Sequence, residues 1–290
     1  MSEAKSKSEK LYESNPFQVA ATSFSKVKKN WELLLTNIAV GAGGFFTVFI
    51  VFMLAMVAIG AFSDPSAFNE EDPVVVLTVI IVLLTIGVLT LPLWTTLAYA
   101  GLKYFIATSR GVKIQIGSTY KEGFKRGFGL LGLNLLMTLA VLGGLLLFIV
   151  PGILIGLWFA FAPYIYVDQK KGIFESFSAS RQLIKGKYTD LIGAQSMIGL
   201  INVIVQMPSN LIPYLIILTW PFEIIAGWLG SIVIAYRYTS AADLAKAQLK
   251  RPPTHWGNWL AIGLFILFWI VLVLVIIFAL LAVGLEELNK

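Results

Sequence analysis

Four long apolar runs, at residues 33–62, 74–100, 128–150 and 259–285, break up this chain, and the connection between the first two holds acidic residues without a single basic one. About 20 apolar residues suffice to cross the roughly 30 Å hydrocarbon layer of a bilayer. Runs of this length exclude an ordinary soluble domain. The composition agrees, with 58% hydrophobic and 13% charged residues and a mean hydropathy of +0.82, where soluble domains carry about 25% charged residues. The expected fold class is an all-α integral membrane protein.

Once the apolar runs are drawn as spans, every Lys and Arg except Lys290 falls on one side. Lys5, Lys7, Lys10, Lys26, Lys28 and Lys29 precede the first span, and Lys103, Arg110, Lys113, Lys121, Lys125 and Arg126 precede the third. Lys170, Lys171, Arg181, Lys185 and Lys187 precede the fifth; Arg237, Lys246, Lys250 and Arg251 follow the sixth. The connection at 63–73 carries Asp64, Glu70, Glu71 and Asp72, and the tail carries Glu286 and Glu287. By the positive-inside rule the N-terminus is cytoplasmic and the C-terminus outside. The polar first 32 residues and the long first run do not fit a cleaved signal peptide, so no processing is expected.

Parity decides the ambiguous stretches. Both flanks of 128–168 are basic, so the chain crosses an even number of times between them; about 40 residues give roughly 60 Å of helix, which is two crossings. The reading is a hairpin of 128–150 and 153–168 turned at Pro151-Gly152. In 190–237, Pro208, Pro213 and Pro221 interrupt the apolar pattern, and proline inside a helix removes a hydrogen bond and clashes with the preceding turn. This predicts a fifth span ending near Gln206, a short outer interfacial segment at 211–220 and a sixth span at 222–240. Residues 259–285 then cross outward as a seventh.

Three of the basic segments share a pattern of cations, an aromatic residue three positions after the first of them, and an apolar run. They centre on Lys28, Lys29 and Trp31; on Lys125, Arg126 and Phe128; and on Lys185, Lys187 and Tyr188. Ahead of each lie apolar residues at helical spacing: Phe17, Ala20, Ala21 and Phe24; Tyr120 and Phe124; Phe174, Phe177, Ser180, Leu183 and Ile184. Each reads as an amphipathic elbow helix in the headgroup layer, and these six cations, with Trp31 and Tyr188, are candidate lipid-headgroup contacts. The unit of elbow, outward span and inward span would be used three times, as in pseudosymmetric bundles, with one span appended. The plainer reading is that basic and aromatic anchors flank membrane spans generally. The expected divisions are a cytoplasmic N-terminal segment with an elbow (1–32), a six-span membrane domain (33–244), and a cytoplasmic loop with the seventh span and short outer tail (245–290).

Val150-Pro151-Gly152-Ile153, the run from Trp158 to Pro163, Val167-Asp168 and Ser180-Arg181-Gln182-Leu183-Ile184-Lys185-Gly186 resemble the membrane domain of some glycerophosphoryl diester phosphodiesterases and of related standalone multi-pass proteins of unassigned function. The resemblance covers roughly residues 15–244; Ser176 stands where that family usually has alanine, and the seventh span is an addition. It implies a membrane bundle and not the phosphodiesterase chemistry, which in that family belongs to a soluble barrel with paired histidines, carboxylates and a metal. This chain has one histidine and no cysteine.

The chemical motifs are few. Gly127, Gly129 and Gly132 match the spacing of a dinucleotide fingerprint but open a membrane helix instead of a strand-to-helix turn. The pairs Gly123/Gly127 and Gly152/Gly156 permit close helix approach. His255 has no second histidine for a zinc site and reads as a surface residue. Asp168 and Asp190 are expected to pair with Arg181 or Lys187. On the fifth span Gln195, Asn202, Gln206 and Asn210 share one face, with Asn37 and Asn134 as companions toward the interior. Amides in hydrocarbon need partners, so this face meets another helix or lines a solute path. Glu223 is the one carboxylate placed for proton or cation coupling.

No catalytic, cofactor or metal site is expected. The function expected is that of a non-enzymatic multi-pass protein of the cell membrane, a scaffold or accessory in envelope or lipid processes. Its partners are membrane lipids with anionic headgroups, not nucleic acid, because the net charge of +6 is spread over short segments beside spans. The rival is a small-solute transporter or channel using the amide face. An intramembrane enzyme ranks third, for want of converging carboxylates, histidines or a Ser-His arrangement.

Overall fold

The computed structural model describes residues 12–13, 15–26, 31–58, 73–211, 216–249 and 251–288, and among them the regular structure is helical throughout. In chain order the helices are α1 (Pro16–Lys26), α2 (Trp31–Ala58), α3 (Pro73–Arg110), α4 (Ile116–Leu147), α5 (Ile149–Phe159), α6 (Ala162–Asp168), α7 (Ile173–Ile184), α8 (Tyr188–Leu211), α9 (Ile216–Lys246) and α10 (Trp256–Leu288). Six stretches are long and apolar enough to cross a membrane: Trp31–Leu54, Val76–Arg110, Ile116–Leu147, Ile149–Asp168, Tyr188–Pro208 and Trp256–Phe278. The 31-residue α9, which carries Glu223, Arg237, Asp243 and Lys246, is outside that set.

Several boundaries differ from the sequence reading. α3 continues ten residues past the expected end at Ala100, which carries Lys103 and Arg110 beyond the apolar part on the same helix. The segment with Tyr120 and Phe124 is not an elbow of its own, because α4 runs unbroken from Ile116 to Leu147. Its glycines serve the close approach that their spacing permits: a Cβ on Gly123 would lie 2.9 Å from the Thr96 carbonyl oxygen, and one on Gly127 2.8 Å from the Thr95 carbonyl carbon. Backbone atoms of α3 thus fill the space a side chain would need, as small-residue spacing allows. By contrast α1 and α7 are separate helices, and α7 ends at a turn where Gly186 takes φ +77°.

The hairpin turns at Phe148, three residues before the expected Pro151-Gly152. Phe148 is extended (φ −162°, ψ 151°), and Pro151 enters the first turn of α5, where its missing N–H has no partner to lose. The Phe148 amide donates to the Gly144 carbonyl (3.0 Å) and the Gly152 amide to the Phe148 carbonyl (3.3 Å). Gly144 and Gly152 press together, since a Cβ on Gly144 would stand 2.8 Å from the Gly152 Cα. Pro208 lies in the last turn of α8 and Pro221 in the opening turns of α9, so neither stops its helix as expected. Of the expected interfacial segment at 211–220, residues 212–215 lie outside the described residues.

Burial is concentrated at one end. α6 is buried along almost its whole length, from Ala162 to Val167, among Tyr99, Leu130, Leu133, Ile184, Tyr238 and Ala242. A smaller cluster of Val19, Ala194, Ile198 and Val233 joins α1, α8 and α9. At the other end large apolar side chains point outward, among them Leu54, Leu84, Leu89, Leu146 and Phe278, as in a bundle whose solvent there is lipid. α10 packs along α8, with Asn258 against Gly193 and Phe265 against Gly199. Among the described residues, the buried end is also where the lysines and arginines gather.

Candidate functional site

Three carboxylates organise the basic end, each joining elements distant in sequence. Asp168, which closes α6, receives both Arg110 nitrogens from α3, Nη1 to Oδ1 at 2.5 Å and Nη2 to Oδ2 at 2.8 Å. The Tyr238 hydroxyl of α9 also donates to Oδ2, at 2.7 Å, and accepts from Gln169 Nε2 at 3.2 Å. A forked guanidinium–carboxylate pair is the strong form of such contacts, and it explains why α3 had to extend as far as Arg110.

Glu122 on α4 is held by Lys103 from α3 and by Lys170 Nζ at 2.7 Å. Beside it Arg126 donates to the carbonyls of Lys170 (3.1 Å) and Lys171 (2.9 Å) and lies 4.6 Å from the centre of the Tyr166 ring. One helix face thereby clamps the loop that leads into α7.

Asp190 near the start of α8 is the most deeply placed of the three, 1% exposed. It accepts from the Tyr12 hydroxyl (2.9 Å) and from Asn258 Nδ2 of α10 (3.2 Å). Arg237 of α9, also 1% exposed, donates to the Glu13 carbonyl at 2.5 Å and to Asn258 Oδ1 at 3.5 Å. Burial pushes the Tyr12 phenol up to about 12 against the opposing pull of Arg237, and burial lowers the Arg251 guanidinium. Lys187 donates to the Pro252 carbonyl (3.1 Å), and Arg251 to that of Leu183.

Neither aspartate therefore pairs with Arg181 or Lys187 as expected. Arg181 of α7 instead covers the Trp158 ring of α5 at 4.6 Å.

Of the candidate headgroup contacts, Trp31 (54% exposed), Lys125 and Lys185 stand at the surface. Arg126 and Lys187 are half-buried in the contacts above, and the Tyr188 hydroxyl accepts from Trp158 Nε1 at 3.1 Å. Lys28 and Lys29 lie outside the described residues. On α8, Gln195 and Gln206 are exposed and Asn202 is half-buried, while the Asn210 side chain is outside the description. Glu223 is half-buried on α9. Asn37 accepts from the Tyr120 hydroxyl at 2.5 Å, joining α2 to α4. His255 is half-buried, its Nδ1 accepting from the Gly257 amide at 3.0 Å where α10 begins.

Sequence reasoning passed over Tyr12, Arg237 and Asn258. Arg237 did leave a trace, because it follows the apolar stretch 232–236 directly and a buried cation demands partners. Among the described residues no three His, Asp or Glu side chains group as metal ligands do. No family model, no curated protein and no solved structure matches this chain.

Proposed function

We propose that this is a non-enzymatic multi-pass membrane protein with its basic end in the cytoplasm. It serves as a scaffold or accessory in envelope or lipid processes and grips the anionic inner leaflet through amphipathic segments. One observation carries the reading: large aromatic side chains project outward beside surface cations at the basic end. Phe174 at the start of α7 is 78% exposed next to Lys170 and Lys171, and Phe124 is 65% exposed next to Lys125. An aromatic anchor paired with lysines is the chemistry of a headgroup-layer contact. The family resemblance of residues 15–244 agrees with a membrane role and brings no catalytic group with it.

Seven crossings follow from parity on this reading. α2, α4 and α8 lead away from the basic end and α3, α5 with α6, and α9 return to it, since Lys187 meets Pro252 there. α10 leaves last and carries the C-terminus outside. The two separate short helices, α1 and α7, take the part of elbows. Reconstitution into phosphatidylcholine nanodiscs with and without phosphatidylglycerol tests the proposal. A clear preference for the anionic mixture is expected, and equal incorporation refutes it.

A second reading keeps the amide face of α8 as a solute path, because Gln195 remains exposed on the bundle surface. Flux through proteoliposomes would then fall in Asn202→Leu and Gln206→Leu. Flux that is absent from wild type, or unchanged in both variants, removes this reading.

A further inference from the structure

Between α7 and the end of α9 runs a groove of about 350 Å³, within the size range of small-ligand sites. Its walls are apolar, built from Leu183 on one helix and Ala242 and Ala245 on the other. Its rim is not: Lys171 and Gln169 border it from the loop before α7, Gln182 from α7, and Lys246 from the last turn of α9. Among the described residues, neither lysine is in an ion pair, whereas Lys103, Lys170 and Arg110 all are. Of the nearby carboxylates, Asp168 is held by Arg110 and Tyr238, with Lys246 adding only a longer-range attraction, and Asp243 lies 3.9 Å from Arg110 Nη2.

We propose that this groove is a binding site for one anionic phospholipid. Resting on the leaflet-binding function above, the assignment narrows it to a defined place. Two ammonium groups supply point charges suited to a phosphate, with the amide side chains of Gln169 and Gln182 beside them for the remaining oxygens of the headgroup. The alanine and leucine walls have nothing to offer a free phosphate but accommodate the glycerol and the first acyl carbons. The exposed Phe174 on the same helix points to the depth at which such a lipid lies. A polar rim over an apolar floor matches an amphiphile.

The test uses the full chain in detergent, where no bilayer surface contributes, and native mass spectrometry of retained phosphatidylglycerol against phosphatidylcholine. Each lysine contributes about a fivefold preference, so Lys171→Gln with Lys246→Gln is expected to lower phosphatidylglycerol retention about twenty-five-fold. Lys113→Gln with Lys121→Gln removes the same charge from exposed positions away from the groove and should leave retention within about twofold. Ala245→Trp, which fills the floor with both lysines intact, should also abolish retention and stands in if the lysine pair fails to fold. Equal loss in both lysine pairs, or no loss in any variant, overturns the site. Displacement by glycerol phosphate overturns the lipid assignment in favour of a soluble phosphate ester. Wild-type nanodiscs that still prefer phosphatidylglycerol after such a result show that the wider leaflet-binding function survives without the groove.

Discussion

The Tyr12 hydroxyl donates to Asp190 Oδ2 at 2.9 Å across 178 positions of sequence, which ties the N-terminal segment to the first turn of α8. With Arg237 reaching the Glu13 carbonyl and Asn258 bridging Asp190 and Arg237, the segment before α1 becomes part of the bundle. Removing the hydroxyl leaves a buried carboxylate short of a donor. Tyr12→Phe should therefore lower stability by about 1–3 kcal/mol, read as the midpoint of thermal unfolding in detergent; an unchanged midpoint counts against the network.

The same tyrosine makes the attachment sensitive to alkali. Its ionisation lies near 12 in the folded protein and at 10.0 ordinarily. Below the lower value both folded and unfolded states hold the proton and the contribution is complete. Between the two values the unfolded state loses its proton first, so stability falls as pH rises through this window. Proteolysis of the N-terminal segment should accelerate across this window in wild type, whereas Tyr12→Phe, cleaved faster already at neutral pH, should lack that acceleration.

Arg110 and Asp168 join α3 to the buried α6 by two parallel bonds. Asp168→Ala leaves Tyr238 without its acceptor and Arg110 with only the longer contact to Asp243 at 3.9 Å, and should cost about 1–3 kcal/mol. Arg110→Lys keeps the charge but not the fork, and should recover only part of the loss. Denaturation of both variants in mild detergent separates charge from geometry. Full recovery by lysine would make the bidentate contact irrelevant.

Gly127 and Gly143 lie on one helix but answer differently to a side chain. A Cβ at 127 meets the α3 backbone at 2.8 Å, whereas one at 143 meets nothing within 4 Å. Gly127→Val should destabilise by about 1–3 kcal/mol through overpacking. Gly143→Ala should be neutral or stabilising by up to about 1 kcal/mol, as in any helix interior. Equal unfolding midpoints would mean that the α3–α4 crossing is looser than its geometry.

The helical class and the long apolar stretches were legible because bilayer thickness sets a length that hydropathy reports directly. The helical spacing of apolar residues also marked the places where α1 and α7 form. What failed was local punctuation. Pro151 and Gly152 mark a turn in isolation, yet the chain breaks at Phe148, because proline is comfortable in a first helical turn and Gly152 is needed against Gly144. Gly123 and Gly127 did announce a close helix approach by their spacing, and Thr95 and Thr96 of α3 meet them there; what the spacing left open is that α4 runs unbroken through both. The ion-pair partners were illegible for another reason: Arg110 meets Asp168, and Tyr12 meets Asp190, only after tertiary packing, and no periodicity encodes that choice.

Between Thr138 and Trp158 no side chain carries a hydrogen-bonding group, and at the bend itself the amides of Phe148 and Gly152 already have acceptors. The side chains of such a corner ask nothing of water, and only backbone groups of the two helix ends are left to it. On the topology proposed above, the two arms of this hairpin would enter the bilayer together from one face, with no hydrophilic side chain at the apex to be carried across.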